Sequence, residues 1–409
     1  MAHSADGLAP AQLVDAIDES IRAHAKAGVA LQTADDVDYH GRSLSLAGQQ
    51  LLNFGGCSYL GLEQRPELKD AVIEAVRRYG TQFSMSRVYM DSPLYKTLEG
   101  ALATMTGGHA LVTASTTLGH IAALPVLVRP GDAIVMDRFA HASLHTAVAL
   151  LKGIPIVIVN HGRMEQVEQE VIRLAAQHER VWYLGDGLYS MEGDFAPLAS
   201  LAELLQRHPQ VRLYLDDAHS TSWLGRHGRG HVLDVLGGNE RVIVALSLNK
   251  AFSAGGGALI FADRQERDRV RRCGGPLLFG GPVQPPLLAA AVASARLHLA
   301  PEFAGLQREL ITRIERVNAK ARELGIPLAN HDVSPIFFVP CGPAERTYPI
   351  IRGLHERGVF VCLGAFPAVP HGRSGVRFTV SVHNTLDDVD HLLGALASEL
   401  RFHGVVCEH

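Results

Sequence analysis

From about residue 110 to residue 246 the chain alternates short β-branched runs with stretches of helical spacing. The runs are Ala110–Thr113, Ala133–Met136, Ile154–Val159, Val181–Leu184, Val211–Leu215 and Arg241–Leu246. Alternation at this length predicts βαβ units around a mostly parallel sheet with helices on both faces, so the fold class is α/β. A chain of 409 residues outgrows one small core, and two domains, one large and one small, are expected.

The flanking segments fit that division. Leu13, Ile17 and Ile21 are spaced four apart in a helix over residues 10–27. Two hairpin-like strands follow, around Val37 to Leu46 and Leu51 to Phe54. Pro66 and Pro93 each open a helix, ending near Tyr79 and Thr106. Past the sheet, a long helix from about Leu287 to Glu323 is interrupted near Pro301. Strands at Ile336–Val339, Val359–Leu363 and Val376–Ser381 and a helix at Leu386–Phe402 predict a smaller α+β domain. The expected division is 1–50 as an N-terminal helix and arm and 51–285 as the large domain. Residues 286–409 form the interdomain helix and the small C-terminal domain.

Composition narrows the function. A net charge of −4 gives no drive toward nucleic acid or an anionic membrane. The basic run Arg264 to Arg272 is broken by Glu266 and Asp268 and reads as a solvated helix face. Five cysteines form no C-x-x-C pair, which argues against structural zinc and for a reducing compartment. No apolar stretch approaches the roughly 20 residues of a membrane helix. With no leader-like start, a cytoplasmic location is expected.

Ligands of open α/β sheets bind past the carboxyl ends of the strands, and polar residues cluster at those places. After Arg241–Leu246 come Ser247 and Lys250, then Gly255-Gly256-Gly257. A lysine between Leu248 and Ala251-Phe252 is either snorkelling to water or desolvated, and a desolvated amine forms Schiff bases. Ser-x-x-Lys suits pyridoxal phosphate, with Lys250 on the aldehyde and Ser247 on the phosphate, but serine hydrolases use the same spacing. After Val211–Leu215 come Asp216-Asp217-Ala218-His219. A buried carboxylate there needs a cationic partner such as a pyridinium nitrogen, while a helix cap or a metal site would use the same acids. Ser115 and Thr116 suit a phosphate at a helix start, or an ordinary capping turn. His141 and His145 have metal-ligand spacing without the glutamate of a zinc motif, so no metal is expected. A planar imidazole resting on a cofactor ring is the other use.

Together these segments resemble the α-oxoamine synthase family of fold-type I pyridoxal-phosphate enzymes. The family includes 8-amino-7-oxononanoate synthase, 2-amino-3-ketobutyrate CoA ligase and the autoinducer synthases. The matching stretches are Tyr59-Leu60-Gly61-Leu62, His141-Ala142-Ser143-Leu144, Tyr189-Ser190-Met191-Glu192-Gly193, Asp216-Asp217-Ala218-His219, Gly225-x-x-Gly228-Arg229-Gly230 and Ser247-x-x-Lys250. Pro367-Ala368-Val369-Pro370 and Val376-Arg377-Phe378-Thr379 complete the set, in family order. The resemblance implies a large cofactor-binding domain with a smaller C-terminal one. It implies Lys250 as the Schiff-base lysine, His141 stacked on the ring and Asp216 on the pyridinium nitrogen. His219 would bond the phenolic oxygen with Ser190 near the same edge, Ser247, Ser115 and Thr116 would hold the phosphate, and Arg377 would bind the substrate carboxylate. The chain departs from the family at four places: Cys57 for a common Asn, Ser115-Thr116 where an aromatic follows the phosphate-turn glycine, Asp91 for a usual Gly, and Gly280-Gly281-Pro282 without the usual Ser or Thr.

The expected activity is condensation of an amino acid with an acyl thioester, usually with decarboxylation, to an α-aminoketone. An aminotransferase or an aldolase-type lyase on the same fold is the alternative. The resemblance also implies a homodimer with its site at the subunit interface.

Overall fold

The computed structural model describes residues 10–405. They form two compact units, a larger one of residues 62–189 and 195–304 and a smaller one of residues 10–61, 190–194 and 305–405.

The smaller unit opens with the helix Pro10–Lys26 and a hairpin, β1 (Ser43–Leu46) and β2 (Gln49–Asn53). The larger unit is built on seven strands: β3 (His109–Thr113), β4 (Asp132–Asp137), β5 (Ile156–Val159), β6 (Arg180–Asp186), β7 (Val211–Asp216), β8 (Val242–Ser247) and β9 (Gly257–Phe261). Their spatial order is β3-β9-β8-β7-β6-β4-β5, with β9 alone reversed. All six runs expected from the sequence are strands of this sheet. The seventh, β9, was not expected, because the glycines before it read as loop. Those glycines make a tight return: Gly256 has φ +103°, and a Cβ on Gly257 would meet the backbone nitrogen of Thr116.

Both faces of the sheet are covered, as parallel strands require. Val135, Tyr183, Leu213, Leu215, Val244 and Leu246 point to one side, against Leu98, Leu102, Leu201 and Leu288. Ile134, Met136, Trp182, Leu184, Tyr214, Ile243 and Ala245 point to the other, against Leu124, Leu144 and Val270. This period of two gives each face of the sheet its own apolar layer.

The basic run is a helix, Arg264–Cys273, and it is tied down rather than merely solvated. Arg267 pairs with Glu99 at 2.6 Å and Arg271 with Asp91 at 3.2 Å. Asp91 also holds the buried Arg87 at 2.7 Å, so the residue that departs from the family pattern closes an ion-pair network around the 84–92 loop.

In the smaller unit, β10 (Ile336–Gly342), β11 (Val359–Phe360), β12 (Cys362–Gly364) and β13 (Ser374–Thr379) complete two sheets, β1-β2-β11 and β10-β13-β12. The single strand expected at Val359–Leu363 is split. Its first part pairs with β2 and its second with β13, with Val361 buried at the switch. The closing helix Leu386–Phe402 starts at a capping box of Thr385 and Asp388, and Arg42 grips Asp388 at 2.7 Å.

Behind the lysine turn the larger unit carries a buried histidine. His298, on the helix Pro285–Leu299, donates from Nδ1 to the Ser294 carbonyl at 2.7 Å, and Nε2 accepts from Ser222 Oγ at 2.6 Å. Its ring stacks on Phe252 with centroids 4.7 Å apart, and Ser294 Oγ donates to the Phe252 carbonyl at 2.7 Å. Burial pushes its pKa down from 6.5 to about 4. Between those values the unfolded chain binds a proton that the folded chain refuses, so this site costs stability as pH falls from about 6.5 to about 4. Thermal unfolding followed across that window should show a weaker acid loss in His298→Gln than in the parent protein. Parallel curves would remove His298 from the acid sensitivity.

Candidate functional site

The parallel register aligns the carboxyl ends of the central strands. Asp186 of β6 lies opposite Asp216 of β7, which lies opposite Ala245 of β8, two residues before Ser247. Apolar side chains fill both faces up to this edge, and polar ones begin where packing ends.

Asp216 is 5% exposed. Its Oδ1 accepts the Ala218 N–H at 3.0 Å and its Oδ2 accepts from His120 Nε2 at 2.9 Å. Burial pushes the carboxyl pKa up, but the His120 hydrogen bond and the electrostatic pull of His120, His141 and Lys250 outweigh it. The net value lies well below the usual carboxylate range. Its neighbour behaves oppositely: burial first, then the Asp216 charge, pushes Asp186 well above its ordinary value. The two adjacent carboxyls are therefore shifted in opposite directions, Asp216 toward the charged form and Asp186 away from it. Asp186 Oδ1 accepts the backbone N–H of His141 at 2.9 Å, which fixes the start of the helix Ala142–Val148.

His141 itself is exposed, with Nδ1 2.6 Å from Ser143 Oγ. Desolvation by its surroundings lowers its pKa, Asp216 raises it and Lys250 lowers it. Lys250, His141 and Asp216 are thus near enough to act on one another's charge. Lys250 is half-buried and not fully desolvated. Leu248, Ala251 and Phe252 are buried, whereas Asn249 between them is exposed.

Ser115 Oγ caps the helix Thr116–Leu127 by accepting the Leu118 N–H at 3.1 Å. Thr116 Oγ1 donates to the Leu246 carbonyl at 3.1 Å, tying this turn to β8, and Ser247 Oγ accepts the Asn249 N–H at 3.3 Å. The capping reading of this turn is therefore correct, and it leaves the helix N-terminus facing the same edge as Ser247. His219 is buried on the turn after β7, where its carbonyl accepts the Trp223 indole N–H at 2.7 Å. Asp217 points elsewhere. Its Oδ2 accepts the Val232 N–H at 2.9 Å at the start of the helix His231–Leu236, and desolvation pushes its pKa up to about 7. It is a cap, as one reading of the sequence allowed.

Two expected residues belong to the smaller unit. Arg377, half-buried on β13, donates from Nε to the Ser190 carbonyl at 2.8 Å. Burial raises the Tyr59 pKa and the nearby Arg377 tempers the rise.

Sequence reasoning passed over His120, Tyr214 and Asp186 as site residues. A signal existed for the first two: Tyr214 and Asp216 share a strand face by period two, and His120 lies on the helix opening at the Ser115 turn.

Residues 49–396 match the profile of the family described as aminotransferase class I and II. The 8-amino-7-oxononanoate synthase of Symbiobacterium thermophilum is 32% identical over 362 residues, covering 88% of this chain and 91% of that one. The enzyme of the same name from Thermoanaerobacter pseudethanolicus is 28% identical over 385 residues, covering 93% and 96%. Among solved structures, the serine palmitoyltransferase of Sphingomonas wittichii superposes with a TM-score of 0.88 at 25% identity, over 97% of this chain and 98% of that one.

Proposed function

The chain belongs to the α-oxoamine synthase family of fold-type I pyridoxal-phosphate enzymes, and from that membership we propose that it joins the α-carbon of an amino acid to the acyl group of a thioester. The thiol leaves, and the amino acid's carboxylate leaves as carbon dioxide, giving an α-aminoketone. The observation that carries this reading is the convergence of Lys250, His141 and the charged, buried Asp216 on one sheet edge.

The residues present fit the cofactor. Each Asp216 oxygen has one donor, so acceptor capacity remains for a ring N–H. The helix N-terminus at Thr116, with Ser115 and Ser247, suits a phosphate. Bound pyridoxal phosphate supplies the electron sink that makes a carbanion at the amino acid's Cα accessible. Lys250 Nζ would hold the cofactor's aldehyde, and as a free amine it is the base that would take the Cα proton. Asp216 would keep a proton on the ring nitrogen, and His141 would cover one ring face. By the family resemblance His219 would serve the phenolic edge, the role the resemblance also gives to Ser190. Arg377 offers a guanidinium for the substrate carboxylate.

This reading includes a homodimer with its site at the subunit interface. Met85, Tyr89, Met90 and Phe279 are exposed, and Met85 and Met90 line one cleft with Gly281 and Pro282, which supports this reading because exposed apolar side chains on one surface mark interaction sites. A fully active monomer by light scattering would overturn the shared site. We place the enzyme in the cytoplasm, because the four described cysteines form no disulfide among the described residues, which suits a reducing compartment.

The test surveys acyl-CoA and acyl-carrier substrates of short and long chain against each common amino acid. Thiol release in step with a new α-aminoketone is expected for one pairing. Stoichiometric keto acid with no thioester consumed would make this an aminotransferase, and thioester-independent cleavage would make it a lyase.

A further inference from the structure

The carboxylate at the centre of the site is held by more than backbone. His120 sits 0% exposed on the helix Thr116–Leu127, whose other buried positions are Gly119, Ala122, Ala123, Leu124 and Leu127. It is the one ionisable side chain on that buried face. Its Nε2 lies 2.9 Å from Asp216 Oδ2 and its Nδ1 lies 2.9 Å from the Tyr214 hydroxyl. A charged carboxylate only accepts, so the Nε2 atom carries the hydrogen. The Nδ1 lone pair then takes the Tyr214 O–H. Tyr214 is itself fully buried, and burial followed by the Asp216 charge keeps its phenol protonated. Every polar atom in this three-residue chain is satisfied in one tautomer. The titratable and charged groups around it are Asp186 on the adjacent strand, His141 at the head of the next helix and Lys250 beyond β8.

We propose that His120, fixed by the Tyr214 hydroxyl, is a positioning residue that holds Asp216 in one orientation and one ionisation state, on which the proton of the cofactor's ring nitrogen depends. The proposal rests on the reading of Asp216 given above. A histidine that only filled space on this face would make no bond to the carboxylate, and an apolar residue would fill it without the cost of burying two ring nitrogens. The relay instead resembles the outer-shell partners that orient metal ligands, whose loss costs roughly 10–100-fold.

The test compares His120→Leu, His120→Gln and Tyr214→Phe after reconstitution with pyridoxal phosphate. It records the absorbance of bound cofactor from acid to alkaline pH, cofactor dissociation and turnover. His120→Leu is expected to move the absorbance titration by on the order of one pH unit and to lower turnover roughly 10–100-fold. Tyr214→Phe should move the titration less, in the same direction. The glutamine amide can still donate to Asp216 Oδ2, so His120→Gln should recover most of both signals. A leucine variant that fails to fold leaves the decision to the other two. A parental titration in Tyr214→Phe together with no recovery in His120→Gln would overturn the proposal, as would a folded leucine variant with parental spectra and turnover. If the parent protein itself shows no cofactor absorbance, the reading of the site fails and this assignment falls with it.

Discussion

Lys250→Ala is expected to abolish condensation and to leave no borohydride-stable cofactor adduct on the protein. Lys250 is asked for two things, an amine to anchor the aldehyde and a base for the Cα proton. General base catalysis alone contributes typically about 10²–10⁴-fold, and losing the anchor adds to that. The variant should still fold. The turn at residues 248–256 is held by main-chain bonds, Ser253 N–H to the Lys250 carbonyl and Leu248 N–H to the Gly256 carbonyl at 2.8 and 3.0 Å. Ser294 and His298 brace Phe252 from behind. None of these uses the lysine side chain, so thermal unfolding should be nearly parental. Peptide mapping of the reduced parent protein is the direct check. An adduct on another lysine, or turnover of the alanine variant within tenfold of the parent, would remove Lys250 from both roles.

Where chemistry sits in this chain was legible because apolar runs end abruptly at polar residues. Val211–Leu215 stops at Asp216 and Arg241–Leu246 stops at Ser247, and both ends lie on the carboxyl edge. Strand bounds were read short by one or two residues at Asp132, Arg180 and Asp186. These polar residues still take part in the ladder, and composition does not report pairing. The return strand β9 was hidden by glycines whose use is a tight turn against Thr116. Val359–Leu363 was read as one strand because nothing local says that its halves have different partners. The degree of burial of Lys250 stayed open between snorkelling and desolvation for a related reason: flanking apolar residues show that a strand is buried, but not how far the residues after it are covered. His120 illustrates the hardest class. Its partner Asp216 is 96 residues away, and only the fold brings the helix face over the strand that carries it.

The carboxylate itself carries the second large effect. Asp216→Asn is expected to bind cofactor yet lose roughly 10²–10³ in turnover, the scale on which a single preorganised electrostatic partner of a reacting group is felt. The loss is of charge more than of shape. Asp216 now accepts from two donors, the Ala218 N–H and His120 Nε2. An asparagine offers one acceptor and one donor to the same places. If its carbonyl keeps the Ala218 N–H, its amide faces His120, and His120 must shift its hydrogen to Nδ1 and donate to the Tyr214 oxygen instead. The relay can accommodate that change, so the variant should be folded, but no negative charge remains to keep a ring nitrogen protonated. In the parent protein the Asp216 pKa lies far below the usual carboxylate range, so the carboxylate stays charged well into acid and does not limit turnover there. The variant should therefore be impaired at every pH rather than shifted along the pH axis, with altered absorbance of the bound cofactor throughout. Turnover close to parental would transfer the role to another acid. Asp217 is the obvious candidate by sequence, yet it is a poor one in the fold. Burial holds its pKa up at about 7, and its Oδ2 is committed to the Val232 N–H. An Asp217→Asn variant measured beside Asp216→Asn settles the assignment, because only the residue that supplies the charge can lose turnover while keeping both its fold and its cofactor.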